Sequence, residues 1–377
     1  MTTGHQVLLG GDVEKTMKLW FRHVVILAAI AAIGGLLVMV SGIVPIAASG
    51  GHWPVTRWGL EFSMSRSVAT HSANIAVPDL SDRSLIIKGA GHFETGCVQC
   101  HGGPSRGPNP IAAALMPTPP LLADAVTAWE ANELFYIVKH GVKLTGMPAW
   151  PAQDRDDEVW AVVAFLKILP DMQNDEYQSL VSADTQAADD TIPSNLRHLV
   201  TTTCGRCHGA DGLGGAHHVF PVLAGQRKEY LEATLKAFAD GSRHSGIMEA
   251  LAVPLRKQQI TELAEFYSML ASSLAKDIAT PAEDAVGGEQ IATQGIPSQR
   301  VPACVGCHDP DIGGSYPMLS GQPTHYLKQQ LQLFKRRVRG GTMNAHLMHP
   351  ATERITDSQI EAVAEYFGSS PEDESQR

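Results

Sequence analysis

All six cysteines of this 377-residue chain fall in one pattern written three times: Cys97-Val-Gln-Cys100-His101, Cys204-Gly-Arg-Cys207-His208 and Cys304-Val-Gly-Cys307-His308. Two thiols one helical turn apart, followed at once by an imidazole, form the attachment pattern for c-type haem. The thiols become thioethers on the two vinyl groups, and the histidine coordinates iron from the proximal side. Three motifs that use every cysteine point to three covalent haems. The competing chemistries fit less well. A structural zinc site wants two ligand pairs, and each segment holds one. A thioredoxin-like redox pair would not carry a histidine after it every time. A disulfide across Cys-x-x-Cys would close almost no loop.

Haem iron with His on one face and a Met thioether on the other stays low-spin and has a raised potential. A methionine in a helical protein is most often packing, but here one occupies the same slot three times. Met248 and Met348 each follow their histidine by 40 residues (248 − 208, 348 − 308), and Met147 follows His101 by 46 (147 − 101). These three are the expected axial ligands. Met343, His346 and His349 crowd Met348, and repeat register favours Met348; Met116 is placed too early for the closing loop of its unit. Pro120, Pro221 and Pro317 recur in the loop after each motif. A carbonyl there can accept the ring N–H of the proximal histidine and fix its tautomer, although a turn proline would look the same. His140, His217, His218 and His244 read as surface or packing residues. The basic run Lys335, Arg336, Arg337 and Arg339 reads as a solvated helix end, or more sharply as a patch for an acidic partner or for haem propionates.

These residues need small helical units to position them. Glycine (35), proline (23) and a 6% aromatic content suit loop-rich helical domains whose cofactor fills the core, and the net charge of −10 argues against nucleic acid. Each unit reads as an opening helix ending in the haem motif, a Gly/Pro-rich loop, a middle helix and a closing helix. Residues 129–140 and 157–169 supply the last two in the first unit, by apolar spacing. The second and third units are copies. Cys204 and Cys304, Met248 and Met348, and Ile260 and Ile360 are each 100 apart, while Gly225-Gln and Gly321-Gln are offset by 96. Such parallel spacing marks a duplicated fold.

Residues 24–48 form an uncharged apolar run, long enough to cross roughly 30 Å of hydrocarbon, and Lys15, Lys18 and Arg22 precede it. Positive residues stay cytoplasmic. The expected organisation is a cytoplasmic N-terminus 1–23, a transmembrane anchor 24–48 and a membrane-proximal linker 49–78. Haem units then occupy 79–172, 194–273 and 287–370, separated by linkers 173–193 and 274–286, with a tail at 371–377. A cleaved signal peptide is the rival reading of the apolar run, which is longer than the roughly 7–15 residues such a region needs.

The last two units resemble the tandem dihaem cytochromes c of the c-four type. The shared features are the CxxCH helix, Pro-x-Leu-x-Gly-Gln-x3-Tyr-Leu, the Gly-Ser-Arg…Met stretch and the closing Ala-Glu-aromatic helix. The first unit, with Leu-Thr-Gly-Met147-Pro-Ala-Trp, looks like the membrane-bound cytochrome c subunits of oxidases and dehydrogenases. The resemblance implies an all-α fold of three tandem class I cytochrome c domains behind one transmembrane helix at the bacterial inner membrane, with haem facing the periplasm. It also implies electron transfer and no catalysis by the chain itself. The expected partner is a terminal oxidase, fed from a quinol-oxidising or dehydrogenase complex. The alternative is the electron-exit subunit of a periplasmic dehydrogenase. A third reading, a haem enzyme with one open iron position, is disfavoured by the methionines.

Overall fold

The computed structural model describes residues 8–104, 106–182, 192–215, 217–271 and 286–369. Residues 183–191 of the expected linker 173–193, the linker 274–286 except its last residue, and the tail 371–377 lie outside the described residues. The chain divides into two bodies, Met1–Arg57 and Trp58–Arg377.

The first body is built on α1 (Leu8–Ser41). Its stretch Lys15–Ser41 runs 27 residues and holds an 18-residue window with a mean hydropathy of 2.7, none of it buried. At 1.5 Å per residue it is longer than a hydrocarbon core is thick. The helix stops at Ser41, not at Ala48 as the apolar run suggests. The Ser41 hydroxyl donates to Val38 O (2.8 Å) and accepts from Ile43 N (3.3 Å). Gly42 then turns with φ +66°, the usual left-handed helix end. Pro45, which has no N–H, follows.

The expected linker 49–78 contains a helix, α2 (Pro54–Ser72). In its second half Val68 and Ser72 are buried, and the His71 ring stacks on Tyr136 at 5.5 Å. Asn132 Nδ2 donates to Ser72 O (2.9 Å).

In the first haem unit Asp82 caps α3 (Arg83–Gly96) by accepting from Ser84 N. The single helical turn Val98–His101 follows, then α4 (Ala131–His140) and α5 (Asp156–Ile168), close to the expected helices. Helices α3 and α5 cross at Gly89, where an added Cβ would lie 1.9 Å from Ala161 O. That close approach lets Phe93 and Phe165 meet at 5.0 Å between ring centroids. Burying a ring of this size contributes on the order of 1.5–3 kcal/mol. Residues 174–181, expected inside a polar linker, instead form α6 (Asn174–Val181). Tyr177 and Val181, one helical turn apart and so on one face, are buried in the same core. The Tyr177 hydroxyl donates to Glu94 Oε2 (2.5 Å).

The second unit contains α7 (Lys228–Ala239), the short helix Met248–Ala252 and α8 (Lys257–Met269). The third contains α9 (Val286–Gln294), α10 (Thr324–Lys335), α11 (Ala345–Thr352) and α12 (Asp357–Phe367). Their cores are separate clusters, one around Leu196, Val200 and Leu263, the other around Ala292, Ile360 and Val363. Gly288 repeats the Gly89 arrangement, with an added Cβ 2.1 Å from Ala362 O. A third, smaller cluster of Val222, Ala224 and Met318 joins the second and third units.

Candidate functional site

The three motifs share one local geometry. Each histidine sits at the end of a single helical turn, Val98–His101, Gly205–His208 or Val305–His308. Its Nδ1 meets the carbonyl of the proline in the following loop: His101 to Pro120 (2.8 Å), His208 to Pro221 (3.0 Å) and His308 to Pro317 (2.7 Å). A carbonyl only accepts, so Nδ1 carries the proton and Nε2 keeps its lone pair for a metal. Burial holds the His208 and His308 imidazoles below the ordinary range, against the opposing pull of the proline carbonyls. No disulfide joins any of the six cysteines. Burial pushes Cys97 up to about 12 and Cys204, Cys207 and Cys304 to about 11. Neutral thiols in apolar surroundings suit thioether formation better than a thiolate metal cage.

Between the second and third units lies a continuous cavity of about 410 Å³. It brings together Cys204, Cys207, His208 and Met248 with Cys304, Cys307, His308 and Met348. The rivals of Met348 are absent from its lining. Met343 is 78% exposed, His346 Nδ1 bonds to Met343 O (2.9 Å), and His349 Nε2 donates to Arg339 O (2.8 Å). Cys97, Cys100, His101 and Met147 lie outside this cavity. Met147 is half-buried at the end of a tight turn, its N–H on Thr145 Oγ1 (3.0 Å) and its carbonyl accepting from Val142 N (3.2 Å). Met116 is exposed.

The basic run is only partly a solvated helix end. Lys335 pairs with Asp357 (3.1 Å), but Arg339 lines the cavity, lies 4.5 Å over the Phe334 ring and donates to Tyr230 Oη (2.9 Å). Arg243, buried, repeats this 96 residues earlier (339 − 243), 4.6 Å over Phe238 (334 − 238 = 96). Burial alone would raise the Tyr230 phenol, but the Arg339 and Arg243 charges outweigh it and bring it down. Neither guanidinium has a carboxylate partner among the described residues; Arg243 also bonds the Thr234 and Gln330 side chains. Two cations facing an apolar cavity without a counter-charge are what haem propionates would neutralise. With the neutral thiols and the bare Nε2 atoms, the residues fit the cofactor.

Two glutamines, not singled out by sequence reasoning, cross between the units. Gln226 Nε2 donates to Met318 O (3.0 Å), and its Oε1 accepts from Met318 N (2.9 Å). Gln322 does the same to Val222 N (3.0 Å) and Val222 O (2.8 Å). Val222 and Met318 directly follow Pro221 and Pro317, so each glutamine clamps the loop that orients the other unit's histidine. Both glutamines are buried. Gln322→Leu is expected to leave a buried N–H and carbonyl unpaired, lowering stability by about 1–3 kcal/mol. Gln226→Leu should cost a similar amount. Denaturant unfolding of the haem-loaded protein checks both.

The family model for cytochrome c matches residues 197–269 and 288–370. The model for cytochrome c oxidase, cbb3-type, subunit III matches residues 85–166. A thiosulfate dehydrogenase electron acceptor of Thiomonas intermedia (strain K12) is 37% identical over 172 residues, covering 45% of this chain and 79% of that protein. Cytochrome c4 of Thiocapsa roseopersicina is 34% identical over 169 residues, covering 44% and 85%. The chain belongs to the cytochrome c family. Among solved structures, cytochrome c4 of Acidithiobacillus ferrooxidans is 34% identical with a TM-score of 0.38, covering 43% of this chain and 94% of that one. This cytochrome carries covalent c-type haem, its fold is mostly helical, and its function is electron transfer.

Of the remaining histidines, His244 Nδ1 lies 3.0 Å from Asp154 and His217 Nε2 donates to Ser179 O (3.0 Å). His92 packs beside Trp150, as expected of the remaining histidines. Burial and the Arg155 and Lys88 charges push it down to about 3.

Proposed function

We propose that this cytochrome is a membrane-anchored, periplasmic carrier of three haems that takes electrons from a dehydrogenase oxidising a small inorganic sulfur substrate of the thiosulfate kind. The observation that carries the haem count is the threefold recurrence of one geometry, with His101, His208 and His308 each turned by a proline carbonyl. Cytochrome c domains are read at 79–172, 194–273 and 287–370, the first prolonged by α6. Each haem, when bound, supplies a one-electron iron couple. The cysteines hold it covalently, the histidines present Nε2, and Met147, Met248 and Met348 are the second ligands. Arg243, Arg339 and Tyr230 face the propionates of the second and third haems.

The dehydrogenase is favoured over the oxidase by the relatives. Two of them are named as thiosulfate dehydrogenase electron acceptors, the second from Stutzerimonas stutzeri (strain A1501), 33% identical over 194 residues and 89% covered. Helix α1, with Lys15 and Lys18 at its N-terminal side, is read as the inner-membrane anchor. A second reading, a tethered donor to a terminal oxidase, is favoured by the oxidase-subunit match of residues 85–166.

Stopped-flow mixing separates the two. Thiosulfate with its dehydrogenase should reduce all the haem of this cytochrome. Failure there, with rapid oxidation of the reduced form by a cbb3-type oxidase, selects the second reading. An intact mass with fewer than three added haems would sink the haem count.

A further inference from the structure

The segment that leads into Met248 is held by its own unit through Ser245 N, which donates to Glu249 Oε1 (2.7 Å), and also from outside it. His244, Ser245, Gly246 and Ile247 are each fixed by residues of the first unit. Asp154 pairs with the His244 ring (3.0 Å), and Arg155 NH1 donates to His244 O (2.7 Å). Ser245 Oγ donates to Glu158 Oε1 (2.6 Å), and Gly246 N donates to Glu158 Oε2 (2.7 Å). Gly246 lies against the Trp150 indole so closely that an added Cβ would sit 2.3 Å from Nε1. Ile247 is buried in the core cluster of the first unit, with Phe165, Trp150 and Val159.

Glu158 is the hub of this contact. It is buried and receives four donors, from Ser245, Gly246, Trp150 Nε1 (3.1 Å) and the Arg155 guanidinium (3.0 Å). Burial pushes the Glu158 carboxyl up, against the Arg155 charge and the Ser245 and Gly246 hydrogen bonds, and the three N–H groups aimed at it can only donate, which favours the carboxylate form. The relay continues to the ligand, because Met248 N donates to Ser245 Oγ (3.2 Å). The matching segment of the third unit has no such support among the described residues. There Asn344 Nδ2 donates to Ser315 Oγ (3.0 Å) and His346 meets Met343 O (2.9 Å), all within that unit.

We infer that Glu158, in the first unit, is a positioning residue for the axial methionine of the second: by gripping Ser245 and Gly246 it holds Met248 toward iron, so the second haem's potential depends on the first unit. This rests on the reading of Met248 as a ligand. The energetic logic is that a loop free to swing spends time off the metal, and each buried charge-assisted hydrogen bond removed shifts that balance toward the open form.

The experiment uses the full haem-loaded chain, with redox titration, the methionine-to-iron charge-transfer band and carbon monoxide binding as readouts. Met248→Ala first identifies the signals of the second haem. Glu158→Ala should lower that haem's potential alone, weaken its share of the band and raise its carbon monoxide-reactive fraction about tenfold. Glu158→Gln, which keeps an acceptor, should fall between this variant and wild type. Ser245→Ala removes only the relay hydroxyl and guards against misfolding of the Glu158 variants; it should shift the same haem in the same direction. If Met248→Ala changes the second haem while Ser245→Ala and folded Glu158→Ala leave it at its wild-type potential, the inference is overturned and the ligand reading stands. If Met248→Ala itself changes nothing, both fall.

Discussion

Met248→Ala is expected to turn one haem of this cytochrome high-spin, make it bind carbon monoxide when reduced, and lower its midpoint potential. The thioether is a soft, neutral donor that favours ferrous iron; alanine offers no donor atom, and water or an empty position replaces it. Axial ligation spans a range of roughly 0.8 V, so a fall on the order of 0.1–0.3 V is the scale to look for. Met343→Ala serves as the control: that side chain is 78% exposed and lies outside the cavity, so its removal should leave spectrum and potential alone. Optical redox titration of the two variants checks the pair. A wild-type spectrum from Met248→Ala would place the second ligand elsewhere.

Gly89→Ala is expected to be among the most destabilising single-methyl changes in the chain. The new Cβ would lie 1.9 Å from Ala161 O and 2.8 Å from Phe165 Cβ, both fixed in α5. Neither can rotate away, so α3 and α5 must part and Phe93 must leave Phe165. Overpacking of this kind costs about 1–3 kcal/mol and more where backbone is struck, against a gain of only about 1 kcal/mol in helix propensity. Since roughly 1 kcal/mol moves the melting temperature of a protein of this size class by 2–4 °C, a drop of about 5 °C or more is expected in thermal unfolding of the holoprotein. Gly96→Ala, later in the same helix with nothing within 4 Å, should be neutral or slightly stabilising.

The chemistry was legible in the sequence because haem attachment demands fixed residue types at fixed spacing. The proline carbonyls were legible for the same reason: a second ring nitrogen needs an acceptor, and Pro120, Pro221 and Pro317 recur where one is required. What stayed hidden has a common cause. Helix α6 buries Tyr177 and Val181, with Leu180 packed beside them, a stripe too short to stand out among its Asp, Glu and Gln neighbours. Helix α2 buries only Val68 and Ser72, so it carries no strong apolar face. Glu158 follows Asp156 and Asp157 in the first turn of α5, where acids ordinarily complement the helix dipole. Its partners, Trp150 and Arg155 of its own unit and Ser245 and Gly246 of the second, show that it faces inward. The glutamine clamps were present in the repeat register, but a matching Gly-Gln pair does not say that each side chain serves the opposite copy.

Gln226 and Gln322 hold equivalent positions in the two copies, and each bonds the residue after the other copy's loop proline, with the same pair of atoms. A contact in which patch i meets patch j and j meets i is the mark of a two-fold interface between identical chains. The second and third units thus meet as the halves of a homodimer would, joined in one polypeptide. Within a single chain the two halves are free to differ: Ser245 and Gly246 bond Glu158 of the first unit, while His346, in the counterpart segment, bonds Met343 of its own unit.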